Sequence, residues 1–269
     1  MINIAVLITC HNRKQKTIKC LQALFNQSHI ENVKLKIFLV DDGSTDGTKQ
    51  AINELFPDVI VIKGTGNLYW ARGMSLAWQE AIKSKENFDY FLWLNDDTFL
   101  YNNAIKQIVN TAEELKKKNN NTNYIIAGST CNSIKKIQTF GGYMINLKFY
   151  DLRFSRIQSE NYLDRCDTFN GNCVLVPMSV FLKIGILNQN YVHRNGDFDY
   201  GLTATKNKIK CYVINKFIGT CDDDVKTYIK IDIFEWLYFL KAHSSYFWPI
   251  LCIKFLITHL LRKIYKSVS

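Results

Sequence analysis

Four short apolar runs in the first hundred residues limit the fold more than any other feature of this chain. They are Asn3–Ile8, Leu35–Val40, Val59–Ile62 and Phe91–Leu94. Each has the length and composition of a buried strand. The stretches between them carry helical spacing. In Lys16–Asn26 the apolar positions are Ile18, Leu21, Leu24 and Phe25, and helices are also predicted over Thr48–Phe56 and Leu68–Lys83. Strands that alternate with helices at this spacing build parallel βαβ units, with helices on both faces of the sheet. Three of the strands run into polar residues: Thr9 after the first, Asp41 and Asp42 after the second, Asn95, Asp96 and Asp97 after the fourth. In such sheets the rim at the carboxyl ends of the strands is where ligands bind.

The sharpest of these ends is Phe91-Leu-Trp-Leu-Asn-Asp-Asp-Thr98. Adjacent carboxylates repel unless a cation or a donor-rich ligand sits between them. Mg²⁺ or Mn²⁺ carrying phosphate oxygens fits that requirement. The bland alternative is an Asn-Asp-Asp cap on a helix over Tyr101–Lys118. Asp41–Gly47 matches the first half of a calcium loop, but position twelve is Asn53 instead of Glu, and a strand precedes it. It reads instead as a turn ahead of a capped helix. No Gly-x-Gly-x-x-Gly follows the first strand and there is no P-loop lysine motif, which excludes dinucleotide oxidoreductases and P-loop NTPases. Thr9-Cys-His-Asn-Arg13 lacks the glycine-rich loop a sugar-nucleotide pyrophosphorylase would need, so that alternative weakens.

The second half is patterned differently. Strands are predicted at Tyr124–Cys131, Asp167–Val176 and Lys210–Ile214, with a hairpin turning at Gly141-Gly142. A short helix over Val180–Ile184 stops at Gly185, and another is expected near Tyr200–Thr205. After Asp222-Asp-Asp224 the chain becomes aromatic, basic and helical. With 269 residues, 47% hydrophobic and 22% charged, the chain suits one large domain, residues 1–224, with a helical appendage at 225–269. A formal net charge of +10 points to anionic partners. The eight cysteines form no Cys-x-x-Cys pair and sit mostly in apolar surroundings, as free thiols do in a reducing compartment. Met1-Ile-Asn-Ile enters a strand directly, so no secretory leader is expected.

Five segments, in order, resemble the motifs of family 2 glycosyltransferases, including bacterial rhamnosyltransferase-like members. They are Val6-Leu-Ile-Thr-Cys-His-Asn12, Val40-Asp-Asp-Gly-Ser-Thr-Asp46, Trp93-Leu-Asn-Asp-Asp97, Thr168–Pro177 with Ile184-Gly185, and Gly196-Asp-Phe-Asp-Tyr-Gly201. The resemblance implies a GT-A fold, a Rossmann-like mixed sheet with helices on both faces. It implies inverting, metal-dependent transfer of a sugar from a UDP- or dTDP-sugar to a glycan hydroxyl, in cell-surface polysaccharide synthesis. By position, Thr9, His11, Asn12, Asp41, Asp42, Arg72, Asn95 and Asp96 would hold the donor, and Asp97 the metal. Asn170, Gly171 and Asp199 would lie on the acceptor side, and Asp197 would be the general base. Asp199 is the rival base; its bland reading is a carboxylate satisfying N–H groups at a helix start. The pattern departs from the family in three places. Arg72 lies in Thr65-Gly-Asn-Leu-Tyr-Trp-Ala-Arg-Gly73, without its usual neighbours. Gly196 replaces the Glu that often precedes the base, and Cys221 stands where a His often follows the last strand. The other-class alternative is a membrane-associated scaffold of this fold that has lost its chemistry.

In the tail, Lys241 and Lys254 interrupt every apolar run long enough to span a bilayer. From Pro249 onward Lys254, Thr258, Arg262 and Lys266 line one helical face. Ile250, Ile253, Ile257, Leu260, Leu261 and Ile264 line the other. That pattern suits a basic amphipathic helix lying on an anionic membrane surface; the alternative is a helix packed on the domain. Together these features give a cytoplasmic protein, peripheral on the inner face of the cytoplasmic membrane, with a lipid-linked acceptor. No nucleic-acid partner is expected, and the sequence leaves the oligomeric state open.

Overall fold

The structure is a computed structural model. It describes residues 1–28, 32–119, 122–148, 151–192, 195–222, 233–244 and 248–268, with backbone alone at 119, 147, 148, 151 and 260–268. The first half alternates strictly: β1 (Ile2–Cys10), α1 (Lys14–Phe25), β2 (Val33–Asp41), α2 (Thr48–Leu55), β3 (Ile60–Lys63), α3 (Tyr69–Lys83) and β4 (Tyr90–Leu94). After it come β5 (Phe99–Leu100), α4 (Ala104–Asn119), β6 (Tyr124–Cys131), β7 (Gln138–Phe140), β8 (Gly142–Lys148), β9 (Asp151–Arg156), β10 (Leu163–Cys166), β11 (Thr168–Phe169) and β12 (Cys173–Pro177). The chain finishes with α5 (Met178–Ile184), α6 (Gly196–Lys206), β13 (Lys210–Thr220), α7 (Ile233–His243) and α8 (Trp248–Val268).

The main sheet runs in the order β10-β13-β6-β12-β4-β1-β2-β3. β1 pairs parallel with both β2 and β4, while β12 enters antiparallel between β4 and β6. Period-two alternation sends β1 side chains to two separate cores. Ile4, Val6 and Ile8 pack with α1 and α4, and Ala5 and Leu7 pack with Met74, Ala77 and Trp78 of α3. Both faces are therefore covered, as the near-continuous apolar strands require.

Three expectations change in the second half. Gly141-Gly142 is not a hairpin turn: β7 pairs with β6, and β8 leaves for a second, three-stranded sheet of order β11-β8-β9. The favoured two-residue turn needs positive φ, and neither glycine has it. Gly142 is instead a close-packing position, where a Cβ would lie 2.8 Å from the Cβ of Val213. Asp167–Val176 is two strands, because Asn170-Gly171-Asn172 spends its backbone elsewhere. The Asn170 N–H donates to Gly141 and the Asn172 carbonyl accepts from Asn95. Finally, Asp96 and Asp97 do not cap α4. Phe99 and Leu100 pair with β13 first, and the helix begins only at Ala104.

The tail is helical, and α7 packs on the domain. Phe239 is fully buried in a cluster with Ala71, Tyr191 and Leu202. α8 packs on α7 through Leu251 and Cys252, leaving Ile250, Ile253, Leu256 and Ile257 exposed. The side chains of Arg262 and Lys266, expected on the basic face, lie outside the described residues. Among the described residues no helix is long and apolar enough to cross a membrane.

Removing a fully buried phenylalanine costs about 3–5 kcal/mol. Phe239→Ala should therefore lower global stability in denaturant titration by that order if α7 belongs to the folding unit. An unchanged midpoint would show that α7 is a detachable appendage.

Candidate active site

β4, β1 and β2 are adjacent and parallel, so the segments after Leu94, Cys10 and Asp41 meet at one rim. The first two loops are tied to each other. Asn12, at φ +50°, donates its N–H to Ser44 Oγ and accepts from the Thr45 N–H at 2.8 Å. His11 Nδ1 lies 2.6 Å from the Asp42 carbonyl. Asp41 accepts from the Ser44 N–H at 2.9 Å. Asn12 and Asp41 thus brace the loops and do not line the cleft.

Asp42 lines it while anchoring the start of α3. Its carboxylate accepts from the backbone N–H groups of Gly66 (2.7 Å), Leu68 (2.8 Å) and Tyr69 (3.0 Å). Tyr69 is held at φ +55°, rare for a bulky residue. Its ring is half exposed at the cleft. The loops approach so closely that a Cβ on Gly43 would sit 3.0 Å from the Cα of Gly66.

The cleft between these loops and the Asn170–Asn172 segment encloses about 640 Å³. Five carboxylates line it: Asp42, Asp96, Asp97, Asp197 and Asp222. Among the described lining residues Arg13 is the only Lys or Arg. One guanidinium nitrogen of Arg13 bridges Asp96 at 3.2 Å and Asp97 at 2.8 Å. Burial, reinforced by the charge of Asp97 and opposed by Arg13, pushes Asp96 up to about 7. Asp97 Oδ1 accepts from the Cys221 thiol at 3.5 Å. Burial first, then Asp97, raises that thiol well above its ordinary range. Among the described residues no group of three or more His, Cys, Asp or Glu side chains could hold a metal. A site completed by phosphate oxygens needs only one or two carboxylates, and Asp97 with Asp96 meets that requirement.

Across the cleft, the strand break puts Gly171 beside α6. The Gly171 N–H donates to Asp197 Oδ2 at 2.8 Å, and the Phe198 N–H donates to Oδ1 at 2.9 Å. Burial raises Asp197 to about 6 against those two bonds. Trp70 forms the wall between. Its indole N–H donates to Asn95 Oδ1 at 2.7 Å, and its ring lies so close to Gly171 that a Cβ there would collide with it.

Thr9, His11, Asp42, Asn95, Asp96, Asp97, Asn170, Gly171 and Asp197 therefore converge on one cleft. Arg72 does not: it is exposed on α3 and faces away from the lining. Asp199 does not either. It is buried behind α6, where one oxygen meets the Tyr191 hydroxyl at 3.0 Å and His243 Nε2 at 2.6 Å. It does not line the cleft, and its carboxylate meets side chains instead of helix N–H groups. Sequence reasoning passed over Arg13, although it closes the Thr9–Arg13 segment, and had no signal for the bond between Trp70 and Asn95, which are distant in sequence.

The sequence matches the profile described as Glycosyl transferase family 2 over residues 5–175, more than half the chain. The chain belongs to that family. The fold of this glycosyltransferase family member is GT-A, as its structural neighbours show. The mannosyltransferase PcManGT from Pyrobaculum calidifontis, solved with GDP-Man and Mn²⁺, aligns at TM-score 0.59 and 12% identity, covering 89% of this chain and 62% of that one. Residues 1–349 of S. aureus TarS give 0.54 and 12%, covering 81% and 59%. GalNAc-T7 with UDP, GalNAc and Mn²⁺ gives 0.64 and 12%, covering 80% and 43%. The chain thus spans less than two thirds of each. No curated protein matches the sequence.

Proposed function

We propose that this glycosyltransferase family 2 member moves a sugar from a nucleoside diphosphate donor to a hydroxyl of a glycan acceptor, inverting the anomeric centre. The observation that carries this reading is the cleft itself, with the adjacent carboxylates Asp96, buried, and Asp97, half-buried, on one wall and the carboxylate of Asp197 on the other. UDP or dTDP is the expected leaving group, and the synthesis of a cell-surface polysaccharide the expected setting. Thr9 and His11 lie where the nucleoside would enter. Asn95 and Asp96 would border the ribose and diphosphate, and Asn170 and Gly171 the acceptor.

Asp197 is the base in this reading. The acceptor oxygen attacks the anomeric carbon as its proton passes to Asp197, and the bond to the diphosphate breaks. The transition state resembles an oxocarbenium ion, as in glycoside hydrolysis. A single displacement inverts the centre. Such a base contributes roughly 10²–10⁴-fold and works only when deprotonated. With its pKa raised to about 6, transfer should fall about tenfold per unit below pH 6. Asp197→Asn should remove at least about 10²-fold of the rate while nucleotide binding persists. A fully active Asp197→Asn protein would overturn the assignment.

Five carboxylates beside one arginine repel a diphosphate, so the donor needs a further cation. Asp97, supported by Asp96, would hold Mg²⁺ or Mn²⁺. When bound, such an ion neutralises charge that builds on the departing diphosphate. UDP should accordingly bind at least tenfold more tightly with Mn²⁺ present, read by calorimetry, and Asp97→Ala should erase the difference. Equal affinity with and without Mn²⁺ would remove the metal from the reading.

The exposed Ile250, Ile253, Leu256 and Ile257 on α8, with exposed Lys254 on the same helix, support peripheral binding to an anionic membrane and a lipid-linked acceptor. The full chain should float with anionic vesicles at low salt and be released in part by high salt. Failure to float would rule out the membrane surface and leave these helices as packing elements alone.

A further inference from the structure

We propose that α7 is a positioning element for Asp197 and that His243 is the residue through which it acts. The inference rests on the reading of Asp197 as the base.

The helix that carries Asp197 is poorly supported by its own sequence. α6 begins after Asn195, which is in the left-handed region and makes no side-chain cap. Gly196 and Gly201 lower its helix propensity further. A short helix of this kind is held by tertiary contacts.

Besides its packing on β11 and β13, α6 takes polar contacts from a segment remote in sequence. The His243 side chain is 3% exposed, and its Nε2 lies 2.6 Å from Asp199 Oδ1, two residues beyond Asp197 in the first turn of α6. The same oxygen accepts from the Tyr191 hydroxyl. Nδ1 of His243 is buried and has no hydrogen-bond partner among the described residues. A proton there would be an unsatisfied buried donor, so the proton belongs on Nε2, donated to Asp199. At the other end of α6, Lys206 Nζ donates to the Ala242 carbonyl. α7 therefore grips both ends of the helix.

A second grip reaches the opposite wall. Glu235 of α7 accepts from the Val192 N–H at 2.5 Å, and the Val192 carbonyl accepts from the Ala71 N–H at 3.0 Å. Ala71 follows Trp70, the ring between the two walls of the cleft. Packing alone would be met by Phe239. Buried polar bonds aimed at the first turn of α6 and at the start of α3 fix orientation as well, because each has a preferred direction and is costly to leave unmade.

The test uses the full chain and a double-mutant cycle with Asp197. Turnover is followed as nucleotide release from whichever of a panel of UDP- and dTDP-sugars the native protein consumes. Affinity is followed with UDP and Mn²⁺. His243→Ala should lower kcat about tenfold or more and leave UDP affinity within about twofold. His243→Gln, which keeps a donor toward Asp199, should recover most of the rate. In an Asp197→Asn background His243→Ala should cause no further loss, since it acts through that carboxylate. Equal loss in both backgrounds, or no recovery in a folded His243→Gln protein, would overturn the inference while leaving the base assignment standing. Full activity of Asp197→Asn would overturn both. Should His243→Ala fail to fold, His243→Leu, which keeps the bulk and removes the donor to Asp199, is read in the same cycle with the same expected and overturning results.

Discussion

Asp96 and Asp97 share one guanidinium, and the site is arranged around that shortage of positive charge. A sheet built from fully buried strands has no room for carboxylates except at its ends. β1, β2 and β4 therefore deliver their acidic residues to one rim. The Asp42 carboxylate accepts from three backbone N–H groups, and Arg13 bridges Asp96 and Asp97. Asp197, on the far wall, has only two N–H bonds against its burial, and its pKa rises. The carboxylates thus sit in different environments.

The hydrogen bonds of these carboxylates also shape the cleft. Asp42 draws Gly66, Leu68 and Tyr69 toward β2, which sets where α3 begins and so where Trp70 projects. Trp70 in turn bonds Asn95 and leaves space only for a glycine at position 171. The Gly171 N–H then reaches Asp197. Asp42, Asn95 and Asp197 each accept from N–H groups of the loops and helices around this cavity, which ties its walls together. Buried networks of this kind are rigid when complete and costly when a member is lost.

The C-terminal helices extend that network. α7 closes over α6 and the Tyr191–Val192 segment with both apolar and polar contacts. α8 adds an exposed apolar face beyond it. Loss of α7 would remove support from α6 itself, because part of that support is specific bonds, to Asp199, Lys206 and Val192.

The sequence alone determined the parallel first half, the acidic rim and most of the residues that meet there. Those properties follow from local patterns: apolar runs of strand length, helical spacing between them, and charge placed where a strand ends. The resemblance to the family pointed to Asp197 as the candidate base, with Asp199 as its rival. What the sequence could not determine depends on residues far apart in the chain. Arg72 was expected at the diphosphate, yet the helical phase of α3 turns it to solvent, while Arg13 reaches Asp96 and Asp97 from another loop. Asp197 and Asp199 are equivalent in the sequence, since both lie in one short acidic stretch. Only the turn of α6 separates them, sending Asp197 to the cleft and Asp199 back to Tyr191 and His243. Gly141-Gly142 reads as a turn because glycine pairs favour one; the packing of Val213 and Cys166 against Gly142 made it a crossing between two sheets. In each case the deciding partner was brought close by the fold, and periodicity along a single segment carries no record of it.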